Sequence, residues 1–256
     1  MTDGPLVDKV VIVTGSAAGI GSVIAVEAAR RGARVVVNSR KAERLEEVTQ
    51  EVERLGSEVL AVEDDLRDAE QVDALVGKTR ERFGRIDVLV NNAGGRFLAA
   101  PEEISPNGWR AVLETNLTSA FLCARAVFPI MKEQGAGRIV NISSVAGMGA
   151  YPRAAHYGAA KAGMINLTAT LAAEWAKHNI QVNCVAPGAI MTDASSFVDA
   201  AVRERVETAL PGGRIGTSEE IAEVVLFLAG MEGTYLTGET IRVDGALQGP
   251  LPAARE

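Results

Sequence analysis

The chain has 256 residues, 47% hydrophobic and 23% charged, values of a core-forming globular protein that exclude a disordered or collagen-like one. Lys and Arg number 26 against 33 Asp and Glu, net −7 with a pI near 5.1, so the cation surplus that nucleic acid demands is missing. Two cysteines, Cys123 and Cys184, and two histidines, His156 and His178, are too scattered for a zinc site or a disulfide framework. No apolar run approaches about 18 residues, and Met1–Pro5 has no basic segment leading into an apolar one. The expectation is a cytoplasmic protein with no metal, nucleic-acid or membrane partner.

In chain order, Val10–Val13 is apolar at every position, the pattern of a strand covered on both faces. A helix with Ile20, Ile24 and Ala28 on one stripe follows, closed by Gly32. Val35–Val37 is the second strand, Lys41–Leu55 a charged amphipathic helix stopped by Gly56, and Glu58–Glu63 the third strand. Asp68–Phe83 is the third helix, ended by Gly84, and Ile86–Val90 the fourth strand. Long helices are expected over Glu114–Glu133 and Ala155–His178, on either side of a strand at Arg138–Ile142. Ile180–Ala186 and Thr240–Val243 complete seven strands, and the composition of Ala194–Leu210 is helical. Alternating strands and helices build right-handed βαβ units, hence an α/β, Rossmann-like, doubly wound parallel sheet with helices on both faces. No repeat or linker divides the chain, so residues 1–256 are taken as one domain. Gly94–Pro106 and Pro187–Gly216 are the irregular stretches, and both follow strand C-termini, where open α/β sheets bind ligands.

Two motifs carry chemistry. The first strand runs into Thr14-Gly15-Ser16-Ala17-Ala18-Gly19-Ile20-Gly21 and then a helix. Such glycines let a pyrophosphate approach the free N–H groups of a helix N-terminus, although a tight structural turn would use them too. Tyr157 and Lys161 are four apart in a helical segment and so share a face. A lysine beside a phenol favours the phenolate and suits the tyrosine to acid/base work. A half-buried tyrosine beside a surface lysine has the same spacing.

Thr14–Gly21, Asn91-Asn92-Ala93-Gly94, Asn116, Ser143-Ser144, Tyr157/Lys161 and Pro187-Gly188 occur in one order, and here the chain resembles the short-chain dehydrogenase/reductase family from about Asp8 to Gly245. Ser144 precedes Tyr157 by 13 residues, the family's spacing, whereas Ser143 is one position off and only shapes the turn. The resemblance implies that Tyr157 exchanges a proton with the substrate oxygen. It gives Ser144 the task of holding that oxygen, and Lys161 those of binding the nicotinamide ribose and lowering the tyrosine pKa. Asn116 is implied to anchor a relay water. For the cofactor, it implies contacts from Gly15, Ser16, Ala18, Gly19 and Ile20 to the pyrophosphate, and from Asp65 and Leu66 to the adenine. Asn91, Asn92, Ala93 and Gly94 fall along the adenosine and ribose. Pro187, Gly188, Ile190 and Thr192 fall on the nicotinamide.

NAD-preferring relatives carry an Asp at the end of the second strand. Here Ser39 stands there, followed by Arg40, which favours NADP(H) over the alternative NAD(H); Ala18, where many NADP users have a basic residue, counts the other way. Overall the chain looks most like the 3-oxoacyl-thioester reductases. Asn91–Leu98 and Asn107–Thr118 resemble segments of enoyl- and dienoyl-CoA reductases. Interconversion of a ketone and a secondary alcohol, foremost reduction of a 3-oxoacyl thioester, is therefore expected. The alternatives are a dehydrogenase of small alcohols, sugars or steroids, an enoyl-thioester reductase, and a non-catalytic cofactor-binding protein. Arg96, Arg153 and Arg214 are candidates to meet an anionic carrier or CoA, His156 is placed at the cleft rim, and Cys184 in the core. A homotetramer paired through the Glu114–Glu133 and Ala155–His178 helices is implied by the family, and Ala194–Leu210 would form a lid.

Overall fold

Strands apolar on both faces need cover on both faces, and the chain supplies it with the helices between them. The computed structural model describes residues 4–193, 195, 197, 199–233 and 235–247. Along it lie β1 (Val10–Val13), α1 (Gly19–Arg30), β2 (Arg34–Ser39), α2 (Glu46–Arg54), β3 (Val59–Glu63), α3 (Ala69–Phe83) and β4 (Val88–Asn91). Then come α4 (Pro106–Leu113), α5 (Ser119–Gln134), β5 (Gly137–Ile142), α6 (Ala155–Trp175), β6 (Ile180–Pro187), α7 (Ala200–Ala209), α8 (Ser218–Gly230) and β7 (Thr240–Val243). The seven strands form one sheet in the order β3-β2-β1-β4-β5-β6-β7, with every pairing parallel.

Alternation along each strand divides the core into two layers. Val11 and Val13 of β1, with Val35 and Val37 of β2, pack with Ile24, Ala25 and Ala28 of α1 and Ile221, Ala222 and Val225 of α8. Val10 and Ile12 face the other way, into a layer with Leu75 of α3, Val127 and Met131 of α5, and Leu171 of α6. Each such Val, Leu, Ile or Met side chain, removed from water, contributes roughly 1.5–3 kcal/mol, which is why β1 is apolar throughout and β4 polar only at Asn91.

Several boundaries differ from expectation. The helix expected to begin at Glu114 begins at Pro106, where the Ser105 hydroxyl accepts from Gly108 N–H at 3.0 Å and Pro106 sits at a position that needs no N–H. Between α4 and α5, Glu114–Thr118 form a π-helical turn, so one long helix is widened in its middle. The helix expected over Lys41–Leu55 is split into a 3₁₀ turn at Ala42–Arg44 and α2. The first two residues of the Ile86–Val90 stretch lead into β4 rather than pairing in it, although Ile86 is fully buried. Ala194, the start of the expected Ala194–Leu210 helix, lies outside the described residues; the helix that forms is α7.

Helix α8 was not anticipated, although its start is signalled by a capping box. The Thr217 hydroxyl accepts from Glu220 N–H, while Glu220 Oε2 accepts from Thr217 N–H at 2.9 Å. Arg214 pairs with the same carboxylate at 2.5 Å and, together with the Thr217 amide, holds Glu220 down to about 2. Since α8 covers α1 and the sheet beneath, its start bears on the whole core. Thr217→Ala is expected to cost about 1 kcal/mol, a fall of roughly 2–4 °C in melting temperature for a chain of this size. Differential scanning calorimetry checks this.

Candidate active site

At the carboxyl ends of β1 and β4 the helices depart to opposite faces, and the crevice between them is the switch point of the sheet. Thr14 binds its two sides together: its hydroxyl donates to Val90 O at 3.2 Å and accepts from Asn92 and Ala93 N–H, each at 3.0 Å. The Asn92 amide returns two N–H bonds, to Thr14 O and Gly15 O, both 3.0 Å. Gly15 has φ +61°, and a Cβ there would lie 2.8 Å from the Ala93 Cα, so only glycine fits this crossing. Ser16 is buried, its hydroxyl accepting from Asn38 N–H at 2.9 Å.

Next along the chain, Ala18 precedes α1 without any side-chain cap, so the first N–H groups of the helix, at Gly19 and Ile20, keep no side-chain partner. Thr192 lies over Gly19, where a Cβ would meet its methyl carbon at 3.5 Å. This contact joins the segment after β6 to the glycine loop. Gly188 N–H donates to Val243 O at 3.0 Å, with its backbone against Asp244, while Pro187 closes β6 and Ile190 bridges to Gly216. The glycines, the uncapped helix start and the Gly188–Thr192 strip thus line one crevice of a kind that suits a dinucleotide.

At the outer end, Ser39 is half-buried and its hydroxyl accepts from Lys41 N–H at 3.3 Å. Arg40 is exposed, and its charge reaches Asp65. The Asp65 carboxylate is gripped by Arg67, with bonds of 3.0, 3.1 and 2.5 Å, which holds it below the usual carboxylate range. Leu66 is buried beside it. Asn91, expected along the cofactor, instead turns into the core, where its amide donates to Asn141 Oδ1 at 2.9 Å and Ala120 O at 3.3 Å.

The side chains expected to be reactive meet past the ends of β4 and β5. Tyr157 is half-buried, and burial pushes its phenol up. The Arg96 charge and the Ser144 hydroxyl pull it down. Arg96 Cζ lies 5.4 Å from the Tyr157 ring centre and 5.7 Å from that of Tyr151. Ser144 accepts from Ala146 N–H at 3.2 Å. Lys161 is buried, and burial brings its ammonium down to about 8. Its Nζ donates to Ile142 O at 2.8 Å and lies 5.6 Å from the Tyr157 ring centre. Ser143 fixes that backbone in turn, donating to Lys161 O at 2.8 Å.

Asn116 sits fully buried in the π-helical turn, a kind of distortion frequent at functional sites. Its amide donates to Gly95 O and Val112 O, both 2.8 Å, and accepts from Gly95 N–H at 3.2 Å. One amide hydrogen and Oδ1 are therefore spent on holding the loop after β4, the other hydrogen bonds back to α4, and Gly94 packs where a Cβ would strike Asn116 Oδ1.

One expectation is corrected here. His156 is fully buried rather than at the rim; its Nδ1 accepts from Tyr157 N–H at 2.9 Å and its ring meets the Phe97 ring edge to face at 4.4 Å. Arg214 is paired with Glu220 at the surface, where the structure gives its charge a structural partner. Cys184 is fully buried, as expected, and burial pushes its thiol up. The sequence alone gave Thr14 and Tyr151 no role. A polar residue ending a wholly apolar strand was the available sign for Thr14; Tyr151 had none, since its place depends on how two loops pack.

This architecture is that of a dinucleotide-binding oxidoreductase. A family model described as "Enoyl-(Acyl carrier protein) reductase" matches residues 15–248. The chain is 41% identical over 244 residues to a 3-oxoacyl-(acyl-carrier-protein) reductase of Synechocystis sp., covering 94% of this chain and 98% of the relative. It is 36% identical to the "Probable 2,4-dienoyl-CoA reductase" of Bacillus subtilis, covering 93% and 95%. The crystal structure of a short-chain type dehydrogenase/reductase from Mycobacterium marinum superposes with a TM-score of 0.90 at 32% identity, covering 95% and 97%. The chain belongs to the short-chain dehydrogenase/reductase family and is a short-chain nicotinamide-dependent oxidoreductase. Among the described residues, no helix is long and apolar enough to cross a membrane, and no group of three or more His, Cys, Asp or Glu could hold a metal ion.

The buried lysine has a measurable signature. Its ordinary value is 10.5 and its folded value about 8, so between pH 8 and 10.5 the unfolded chain binds more protons. The stability of the wild type relative to Lys161→Met is expected to rise with pH across that window and to be level below it. Parallel urea titrations at several pH values measure it; a flat difference through the window contradicts a buried ammonium.

Proposed function

We propose that this oxidoreductase uses NADPH to reduce the ketone of a 3-oxoacyl thioester to a secondary alcohol. The observation that carries the reading is the phenol of Tyr157, flanked by Ser144 and by two cations, at the end of the crevice that Gly15, Gly19 and Thr192 line. The similarity to a 3-oxoacyl-(acyl-carrier-protein) reductase over almost the whole chain supports the choice of substrate. Gly15, Ser16, Gly19 and Ile20 would hold the pyrophosphate, and Ser39 and Arg40 the adenosine ribose with its 2′-phosphate. Asn92, Ala93, Gly94, Pro187, Gly188, Ile190 and Thr192 would flank the rest of the dinucleotide.

When bound, the reduced nicotinamide supplies the hydride that the carbonyl carbon takes up. Tyr157 gives its phenolic proton to the carbonyl oxygen, and the Ser144 hydroxyl donates a hydrogen bond to the same oxygen as negative charge builds on it. Lys161 lies beside Gly94 and the Asn116 amide, where it would meet a ribose hydroxyl and return a proton toward the phenol. In the alcohol-oxidising direction the phenolate takes the proton back. Asn116 serves by pinning Gly95 and so the loop that forms one wall.

The nicotinamide preference rests on what the end of β2 presents: a half-buried serine and an exposed arginine instead of a carboxylate. Homotetramer formation is also proposed. The 43% exposed ring of Phe121, with Leu117 and Leu167, lines a shallow groove between α5 and α6, an apolar face suited to a second copy.

An enoyl-thioester reductase is the second reading, supported by the description of the matching family model. Following nicotinamide absorbance with 3-oxoacyl and 2-enoyl thioesters separates the two. Tyr157→Phe is expected to lower kcat by about 10²–10⁴-fold while nicotinamide binding persists; an unchanged rate removes Tyr157 from the chemistry. Ser39→Asp is expected to lower kcat/KM with NADPH by at least about tenfold and to favour NADH, through repulsion of the 2′-phosphate. Paired kinetics with both nicotinamides test it.

A further inference from the structure

One cation beside the phenol, Arg96, is a guanidinium that neither gives nor takes a proton in the reaction described above. Arg96 lies on the loop after β4, and that loop is held at both ends. Asn116 clamps Gly95 from two sides, and Ala99 N–H donates to Arg153 O at 2.9 Å. The guanidinium is thereby kept beside both tyrosines, 5.4 Å from the ring centre of Tyr157 and 5.7 Å from that of Tyr151. A guanidinium carries five N–H donors in a rigid fork. Among the described residues no carboxylate pairs with Arg96, whereas Arg67 and Arg214 are each tied to an acid. Donors are therefore left over beside the place where the substrate oxygen must sit.

We propose that Arg96 is a specificity residue, donating to a second oxygen two carbons from the reacting ketone and so selecting 1,3-dicarbonyl substrates. The inference rests on the ketone-reductase reading above and deepens it. In the bent conformer of a 3-oxoacyl group the two oxygens lie side by side. One oxygen held by Tyr157 and Ser144 therefore brings the other next to the neighbouring guanidinium. Two points of attachment fix the carbonyl carbon for attack, where one leaves it free to rotate. The same loops expose Phe97 (42%), Leu98 (48%) and Met148 (46%), apolar surface of the kind an acyl chain would cover.

The test is steady-state kinetics of the wild type, Arg96→Met and Arg96→Lys with the preferred nicotinamide. Four substrates serve: the 3-oxobutanoyl thioester of N-acetylcysteamine, ethyl 3-oxobutanoate, free 3-oxobutanoate and the plain ketone 2-pentanone. In Arg96→Met, the kcat/KM ratio of ethyl 3-oxobutanoate over 2-pentanone is expected to fall by about tenfold to a hundredfold, the worth of a charge-assisted hydrogen bond. Arg96→Lys is expected to recover part of it. Nicotinamide fluorescence titration shows whether each variant keeps its fold and cofactor site; if Arg96→Met does not, the Lys variant carries the comparison. The free acid shows whether a carboxylate oxygen serves as well as an ester oxygen, and either as the better substrate is consistent with Arg96 binding. An equal fall on all substrates with a shifted pH profile overturns the proposal, because Arg96 would then act only through the phenol. No change in the ratio overturns it too, as does a wild type that prefers 2-pentanone or reduces none of the four. A wild type that reduces ethyl 3-oxobutanoate but not the thioester refutes the thioester reading and leaves the Arg96 assignment standing.

Discussion

Everything in the cleft depends on how closely β1 and β4 can be tied together at their carboxyl ends. At that point the helices leave for opposite faces of the sheet, so no helix covers the gap. The gap is bridged by the Thr14 hydroxyl, which serves three backbone groups, and by the Asn92 amide, which serves two. Such short bridges bring the Gly15 backbone against Ala93, a crossing that excludes any side chain. The site of closest backbone approach is thus also the site of least side-chain bulk. A phosphate-bearing ligand can then reach helix N–H groups directly.

The central fold was legible because its signals are local and repeated. Val10–Val13 is apolar at every position and Ile180–Ala186 at all but Gln181 and Asn183, and a parallel sheet buried on both faces is the natural way to use such segments. The helix boundaries that were missed had signals of a different kind. Ser105-Pro106 and Thr217 with Glu220 are capping chemistry, visible in the sequence but outside a search based on apolar periodicity. The π-helical turn at Glu114–Thr118 had no comparable sign. It carries Asn116, whose side chain bonds to a loop 21 residues earlier in the chain, a long-range bond that local pattern does not record.

Site residues divide in the same way. Tyr157 and Lys161 were readable from spacing on one helix, and the structure keeps them on one side of α6. Their electrostatic relation was less readable. Lys161 spends its ammonium on Ile142 O and is itself brought down by burial, and the phenol is also lowered by Arg96, from a loop 61 residues away in sequence. His156 shows the opposite error: adjacency to Tyr157 suggested a rim position, yet its ring is buried to accept the tyrosine's own backbone N–H and to support Phe97.

A net charge of −7 and a phosphate-bearing ligand are compatible because the acidic residues near the crevice are already engaged. Asp65 is gripped by Arg67, Asp64 by Lys78 at 3.1 Å, and Glu220 by Arg214. Ion-paired carboxylates project little field across the gap, and screening weakens what remains within about a Debye length. Arg40 at one end and Arg96 at the other have no such partner among the described residues, so they and the uncapped start of α1 set the sign of the potential along the cleft. Local pairing, and not the sum of charges over the surface, therefore bears on what this site attracts: an anion along the glycine loop and, on the reading proposed for Arg96, an oxygen-rich carbonyl compound at the phenol.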